Sequence, residues 1–192
     1  MSLTPKMVNL LIRSRRSVFV DQFEKDKAIP DEIILEILEN ANAAPTHKLT
    51  EPWRFTIFCG AGLQVLAKKQ AAIYKENAGS SFKQNKYEKL LITPQQCSHV
   101  IAIGLKRNDT VPEIEEIAAV SCAIENIYLS LAPYGIGGYL STGGITYMET
   151  AKELVGLGKQ DIFIGFFYLG YIKILTPPRT PGPIENKITW IR

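Results

Sequence analysis

Two uninterrupted apolar runs of strand length constrain the fold of this chain more than any other feature. They occupy residues 99–105 (HVIAIGL) and 162–170 (IFIGFFYLG). A strand that is apolar on both faces is normally buried on both faces, so we expect two central strands. In residues 53–58, by contrast, Trp53, Phe55 and Ile57 alternate with Arg54, Thr56 and Phe58. That alternation predicts a third, half-buried strand.

Helical periodicity predicts the elements between these strands. The predicted helices run from about residue 5 to 15, 30 to 44, 63 to 76, 114 to 134 and 148 to 157. The fourth is apolar almost all round, which favours burial in the core or in a subunit interface. Residues 77–96 are polar and lysine-rich, which predicts a solvated, mobile excursion that could act as a lid. A proline-rich arm follows residue 176, and its apolar end predicts that it docks.

Composition limits the classes of function. The length of 192 residues predicts one domain spanning 1–192, and a net charge of +3 gives no reason to expect a nucleic-acid partner. The cysteines at 59, 97 and 122 lack metal-ligand spacing, so we expect free thiols, a reducing compartment and no metal. Acidic and polar residues interrupt the longest apolar stretch, and no signal peptide is evident. These features predict a cytoplasmic protein that does not bind membranes.

A proline-bounded loop at residues 43–52 is the first candidate for function. It holds His47 and Lys48, and the only other histidine is His99. Binding residues concentrate on such loops, although a solvated turn with surface side chains would have the same composition. His99 lies at the edge of an apolar strand, which favours a structural histidine over a ligand.

A basic cluster at the end of the first predicted helix is the second candidate. Arg13, Arg15 and Arg16 precede Ser17. The cations could simply complement the negative end of the helix dipole. Arginine forks beside a hydroxyl also suit a phosphate dianion, because they donate charge-assisted bonds to its oxygens. Spacing alone leaves both interpretations open.

A glycine-dense segment at residues 135–144 is the third candidate. Its glycines allow a close approach of the backbone to a ligand, and Ser141 and Thr142 add hydroxyl donors. A helix C-cap followed by a bulged strand would also account for it.

In this order along the chain, the motifs resemble the FMN-dependent nitroreductase family, particularly its small single-domain NAD(P)H nitroreductases. The resemblance rests on Arg15-Arg16-Ser17, Ala44-Pro45-Thr46-His47-Lys48 with Pro52-Trp53, Gly135-x-Gly-Gly, and residues 153–157 and 164–170. It implies an α+β fold with a mixed, mainly antiparallel sheet flanked by helices. It also implies an intertwined homodimer with FMN at the subunit interface.

The resemblance further implies roles for individual residues. Arg15, Arg16 and Ser17 match the motif that holds the FMN phosphate and ribityl chain. The positions that contact the flavin ring, or close over it, are Ala43, His47, Ser141, Thr142 and Gly143. Arg179 falls where some relatives place a further phosphate-binding cation. Many relatives carry Lys or Arg where this chain has Phe19, so the resemblance assigns no residue to the pyrimidine end of the flavin.

The implied activity is a ping-pong oxidoreductase. NAD(P)H would donate hydride, and a nitroaromatic or quinone-type small molecule would accept the electrons. Arg16, His47 and Lys48 are candidates for stabilising the charge of the reduced flavin, and the sequence assigns no catalytic side chain. A flavin-binding module without turnover, or an enzyme with another flavin-dependent reaction, would share the same motifs. NADH and NADPH are not distinguished.

Overall fold

The computed structural model describes residues 3–192, built around one four-stranded sheet in the order β1-β2-β4-β3. The strands are β1 (Trp53–Cys59), β2 (His99–Leu105), β3 (Ile136–Ser141) and β4 (Ile162–Tyr171). Within the described residues every pairing in this sheet is antiparallel. The two fully apolar runs form the central strands β2 and β4, as their composition predicts.

Within residues 3–192, six α-helices surround the sheet. They are α1 (Pro5–Ser14), α2 (Asp31–Asn42), α3 (Ala61–Asn77), α4 (Gln84–Ile92), α5 (Glu113–Leu131) and α6 (Glu149–Leu154). The start of α1 follows from sequence, because Thr4 accepts a hydrogen bond from the Met7 amide at 3.3 Å and Pro5 occupies the first helical position.

The core lies on both faces of the sheet. On one face α2 and α5 pack through Ile37 and Ile127 against Ile101 and Phe167. On the other face the segment after α1, with α3 and α6, covers the alternate strand residues, including Tyr168. Helices on both sides of an antiparallel sheet confirm the predicted α+β fold. The single-domain assignment of residues 1–192 stays a prediction.

The polar segment before β2 differs from its prediction. Residues 84–92 form α4, which packs against α3. The buried Gln70 amide of α3 donates to the Leu90 carbonyl at 2.5 Å, and the Lys86 ammonium lies 4.7 Å from the centre of the Tyr74 ring. The segment is therefore a helix that packs on the core through Tyr87 and Leu90, although none of its residues is fully buried, as a largely solvated segment requires.

The C-terminal arm also differs from its prediction. Thr176 contacts Gln22 and Ser17, but residues 177–192 are all exposed. The arm does not dock into the core of its own chain.

Helix α5 is more apolar than the sequence interpretation allowed. With the turn that follows it, Glu113–Tyr134 is the one helix within residues 3–192 whose length and composition would suffice to cross a membrane. One side of this helix packs against α2 and the sheet. Core helices reach the same composition for that reason.

Candidate functional site

The end of α1 and the start of β3 enclose a pocket of about 130 Å³. Ser14, Arg15 and Arg16 line it together with Gly137 and Thr176. Two hydrogen bonds hold the chain after α1 in place. The Val18 amide donates to the Gly138 carbonyl at 3.0 Å, and the Thr176 hydroxyl donates to the Ser17 carbonyl at 3.2 Å.

Arg16 is oriented by the carbonyls at the end of α1. Its Nη1 donates to the Arg13 and Arg15 carbonyls at 2.7 Å each, and its Nη2 donates to the Arg179 carbonyl at 3.5 Å. These bonds match the helix-end interpretation of the basic cluster. Yet Nε is buried without a hydrogen-bond partner anywhere in residues 3–192. A buried donor of this kind favours an acceptor, and an anionic oxygen would satisfy it.

Arg15 lies against α5. Its guanidinium is 5.0 Å from the centre of the Tyr128 ring, and its Nε is 3.6 Å from Oε1 of Glu125. The Tyr128 hydroxyl in turn accepts the Leu140 amide of β3 at 2.8 Å. Sequence analysis did not single out Tyr128. Its only signal was an aromatic residue on an otherwise small-residue, aliphatic helix.

The segment after β3 lines a second pocket, of about 220 Å³, on the α3 side of the sheet. Ser141 and Gly143 meet Lys86 and Lys89 of α4 there, whereas Thr142 is exposed. Tyr139 also lines this pocket, and burial raises the pKa of its hydroxyl to about 12. The hydroxyl therefore stays protonated at neutral pH.

Strand β3 connects the two pockets. Gly137 lines the first and Ser141 the second. Four residues of strand separate them by roughly 13 Å. The basic motif and the glycine-rich segment thus lie along one edge strand, although about 120 residues of sequence separate Ser17 from the start of β3.

The loop after α2 lies elsewhere in the same chain. His47 Nδ1 is 3.1 Å from Oε2 of Glu115, near the start of α5, whereas Arg15 contacts Glu125 of that helix. Ten helical residues span about 15 Å. Within one chain His47 therefore contacts α5 well away from Arg15, whereas Ala43 caps α2 close to the contact between Asn40 and Asn126.

This loop has an unusual backbone. Lys48, Leu49 and Glu51 have φ of +51°, +55° and +43°, in the left-handed region that non-glycine residues seldom adopt. The Thr46 hydroxyl stabilises the conformation by accepting the Glu51 amide at 3.2 Å. Such strain occurs preferentially at functional sites.

Two further positions from the sequence analysis have structural roles within the chain. Phe19 packs on Tyr139, with ring centres 4.9 Å apart, where a basic residue was expected from the resemblance. Arg179 offers only its carbonyl to Arg16, and its own side chain is exposed.

Known proteins share this architecture. YfhC of Bacillus subtilis, provisionally named an NAD(P)H nitroreductase, is 25% identical over 180 residues, which is 93% of this chain and 91% of YfhC. A nitroreductase-like family protein from Bacillus cereus superposes with a TM-score of 0.84 at 24% identity, covering 100% of this chain and 99% of the other. NfnB of Mycobacterium smegmatis, an FMN-dependent nitroreductase solved with NADPH, gives a TM-score of 0.74 at 16% identity and covers 96% and 98% of the two chains.

The match to a known family covers most of the chain. The model of the nitroreductase family matches residues 12–171, from the basic motif at the end of α1 to the last residue of β4. All four strands, helices α2 to α6 and the ordered motifs lie within that range. The chain therefore belongs to the nitroreductase family.

Proposed function

We propose that this protein is an FMN-dependent oxidoreductase that takes hydride from NAD(P)H and reduces nitroaromatic or quinone-type acceptors by a ping-pong mechanism. Family membership supports the class of reaction. The relatives support the donor and the cofactor, because YfhC carries an NAD(P)H nitroreductase name and NfnB is FMN-dependent and was solved with NADPH. Within the chain, the observation that carries the proposal is the buried, unpartnered Nε of Arg16.

The residues along β3 suit an elongated phosphate-bearing cofactor. Arg15, Arg16 and Ser17 would hold the FMN phosphate, because two guanidinium groups can neutralise a dianion. Ser141, Thr142 and Gly143 would contact the flavin at the far end of the strand. Bound FMN supplies the two-electron redox chemistry, so the protein needs no nucleophile of its own.

A homodimer would complete this site. The pocket at Arg16 measures about 130 Å³. Ligand pockets usually measure about 300–1,000 Å³, so one chain does not enclose a cofactor of this size. His47 contacts α5 about 15 Å along the helix from the contact of Arg15, and Ala43 begins the same loop as His47. We infer that these two residues reach the flavin from the partner subunit.

Exposed apolar surface supports the same inference. Leu10 of α1 is 70% exposed and Ile114 of α5 is 70% exposed, and on the arm Trp190 is 74% and Ile191 95% exposed. Large exposed apolar surfaces mark association sites. A second copy of the chain would cover them, and it would give the arm the docking surface that its own chain lacks.

The positively charged groups would assist reduction by holding negative charge. Arg16 is fixed at its pocket, and Lys48, which follows His47 in the loop after α2, donates to the Thr110 carbonyl at 3.3 Å. A cation placed where charge develops favours the reduced cofactor. We therefore assign these residues binding and electrostatic roles, with no acid–base role.

An absorption experiment tests the proposal. The purified protein, after incubation with FMN and removal of the excess, should show a bound-flavin spectrum. Anaerobic NADPH or NADH should bleach it, and menadione should restore it. Bound flavin that ignores both nicotinamides would favour a flavin-binding module without turnover. A protein that retains no flavin would contradict the assignment of the cofactor.

A further inference from the structure

Three potential metal ligands from three different elements meet at the β1 edge of the sheet. Cys59 ends β1, His99 begins β2 and Asp31 opens α2. One ligand atom from each residue lies within 4.8 Å of the others. The proposed flavin site follows the opposite edge, β3. Three strand spacings, about 14 Å, separate the two edges.

The fold itself places these residues together. Cys59 and His99 are directly opposite each other in the antiparallel β1–β2 ladder, so their side chains emerge on the same face of the sheet. Asp31 arrives over that face as the first residue of α2. The Ile29 amide donates to the Ser98 hydroxyl at 2.7 Å, which ties the lead-in of α2 to the start of β2.

The imidazole of His99 is held in the orientation that a ligand requires. The ring is buried, with 3% exposure. Its Nδ1 is 2.9 Å from the Ser98 hydroxyl and its Nε2 is 3.4 Å from Oδ1 of Asp31. Metal-binding histidines characteristically use one nitrogen for the metal and the other for an orienting hydrogen bond. Ser98 supplies that bond, which leaves Nε2 directed toward the Asp31 carboxylate.

The same geometry argues against a nucleophilic relay. In a relay the acid orients the histidine through one ring nitrogen while the other nitrogen activates the nucleophile. Here Asp31 is near Nε2, and Ser98 occupies Nδ1. No nitrogen of His99 is left for Cys59 alone. If all three side chains bind one ion instead, Nε2 of His99 and the Asp31 carboxylate both contact the ion, and Nδ1 keeps its hydrogen bond to Ser98.

The donor set suits Zn²⁺. A thiolate and a carboxylate balance the charge of the ion, and a neutral imidazole completes three ligands of types that zinc binds. Zinc bonds of about 2.0–2.3 Å place ligand atoms roughly 3.5 Å apart. The distance from His99 Nε2 to Asp31 Oδ1 is already 3.4 Å, and every pair of ligand atoms in the cluster is within 4.8 Å. Cys59 and Asp31 are both exposed, which leaves their side chains free to rotate and the ion free to enter.

We propose that Asp31, Cys59 and His99 bind a Zn²⁺-type divalent cation, with water in the fourth position. The ion would staple the start of α2 to the ends of β1 and β2. The proposal is independent of the flavin, since none of the three residues belongs to the proposed cofactor site.

Metal binding to the full-length, FMN-treated protein tests this site. After treatment with a chelator, the protein should take up one Zn²⁺ per chain, and Zn²⁺ should raise its unfolding temperature. Co²⁺ as a spectroscopic probe should give a thiolate-to-metal charge-transfer band. Even supporting residues around metal ligands change affinity about 10–100-fold. Cys59→Ser and Asp31→Asn should therefore weaken Zn²⁺ binding about 100-fold or more, and Cys59→Ser should remove the band.

Matched variants separate the site from general metal binding. Cys122→Ser removes another exposed thiol, and Glu32→Gln removes the neighbouring exposed carboxylate of α2. Both should keep wild-type affinity. The proposal is overturned if the wild type binds no more Zn²⁺ than Cys59→Ser, if Co²⁺ binds without a thiolate band, or if either control weakens binding as much as the ligand variants. Flavin retention should be the same in all four variants.

Discussion

At the scale of single residues, Arg16 combines two interactions that are usually separate. Its Nη1 caps the carbonyls at the end of α1, and its Nε remains buried without an acceptor in the described chain. The first interaction fixes the guanidinium before any ligand arrives. A donor fixed in this way loses little conformational entropy when it binds an anion.

Replacing either motif arginine should therefore weaken FMN binding. A hydrogen bond to a charged group contributes about 1.5–3 kcal/mol. We expect Arg15→Ala and Arg16→Ala each to raise the dissociation constant for FMN about 10- to 100-fold, measured by fluorescence titration of the apoprotein. Arg13→Ala is the control, because Arg13 is an exposed cation of the same helix end. Full flavin occupancy in the Arg15 and Arg16 variants would show that the phosphate lies elsewhere.

The strained loop gives a second prediction at this scale. Glu51 is exposed at φ +43°, and its carboxylate makes no hydrogen bond or ion pair with residues 3–192. The left-handed conformation costs a non-glycine residue about 1–2 kcal/mol. Glu51→Gly should therefore raise the free energy of unfolding by about 1 kcal/mol in urea denaturation.

The control for this prediction makes the same chemical change in a helix. Glu39 is exposed within α2. Glycine is unfavourable in a helix interior, so Glu39→Gly should lower the free energy of unfolding by about 1 kcal/mol. Equal losses in both variants would mean that the loop backbone is not strained.

At the scale of elements, the sequence predicts what depends on local pattern. Strands β2 and β4 follow from uninterrupted apolar runs, and α1 from Thr4 and Pro5. Helix α4 was not predicted, because it has no fully buried residue and its apolar packing is limited to partly buried side chains such as Tyr87 and Leu90. A hydrogen bond such as that from Gln70 to Leu90 leaves no periodic hydrophobic signal.

The candidate sites depend on pairings that local pattern does not encode. The Arg-Arg-Ser motif was recognisable, but its contacts with Tyr128 and Thr176 join distant segments. Likewise, Cys59 and His99 lie forty residues apart in sequence and become neighbours through the register of β1 and β2. The cysteine spacing gave no reason to expect a metal site. Residues paired across two strands need no fixed spacing in sequence, so a test based on spacing does not detect them.

The glycines of β3 and of the segment that follows it give a prediction about flavin binding. A Cβ added at Gly143 would meet no atom of residues 3–192 within 4 Å. Gly143→Ala should therefore change the free energy of unfolding by less than about 0.5 kcal/mol. If the backbone there closes over the flavin, the added methyl should raise the dissociation constant for FMN about 10-fold, which corresponds to ~1.4 kcal/mol.

Gly137→Ala should behave differently. Its Cβ would lie 2.7 Å from Cβ of Val18 and 2.9 Å from Cγ1 of Ile172. Overpacking of this kind costs about 1–3 kcal/mol, so stability should fall whether or not flavin is bound. Normal flavin affinity in Gly143→Ala would place the ligand away from that segment.

Thiol reactivity reports on the surroundings of β2 and α5. Cys97 is buried, and burial raises the pKa of its thiol to about 12. Because the thiolate is the reactive form, Cys97 should not react with Ellman's reagent at pH 8 in the native protein. Cys59 should react readily in zinc-free buffer. Cys122 is exposed on α5 in the single chain and should become slow to react if that face lies in a dimer.

Single-cysteine variants make this measurement unambiguous, with total thiol counted after denaturation. If Cys122 is labelled fast at concentrations where the protein sediments as a dimer, the face of α5 that carries Cys122 lies outside the dimer interface. Fast labelling of Cys97 would contradict its burial.

At the scale of the whole molecule, the separation of Arg16 from His47 predicts how two chains share their sites. If each site takes its arginines from one subunit and His47 from the other, Arg16→Ala and His47→Ala each damage both sites of a homodimer. A mixed dimer of the two variants is different. One of its sites combines both replacements, and the other combines the intact Arg16 of one chain with the intact His47 of its partner.

Co-expression of the two variants with different affinity tags should therefore rescue activity. Each homodimer should reduce menadione with NADPH slowly, whereas the purified heterodimer should recover about half of the wild-type rate per dimer, because one of its two sites is intact. The control is a heterodimer of two differently tagged Arg16→Ala chains, which should stay at the rate of the single variant. No recovery in the mixed dimer would mean that each site is built within one chain, since every site would then carry one replacement.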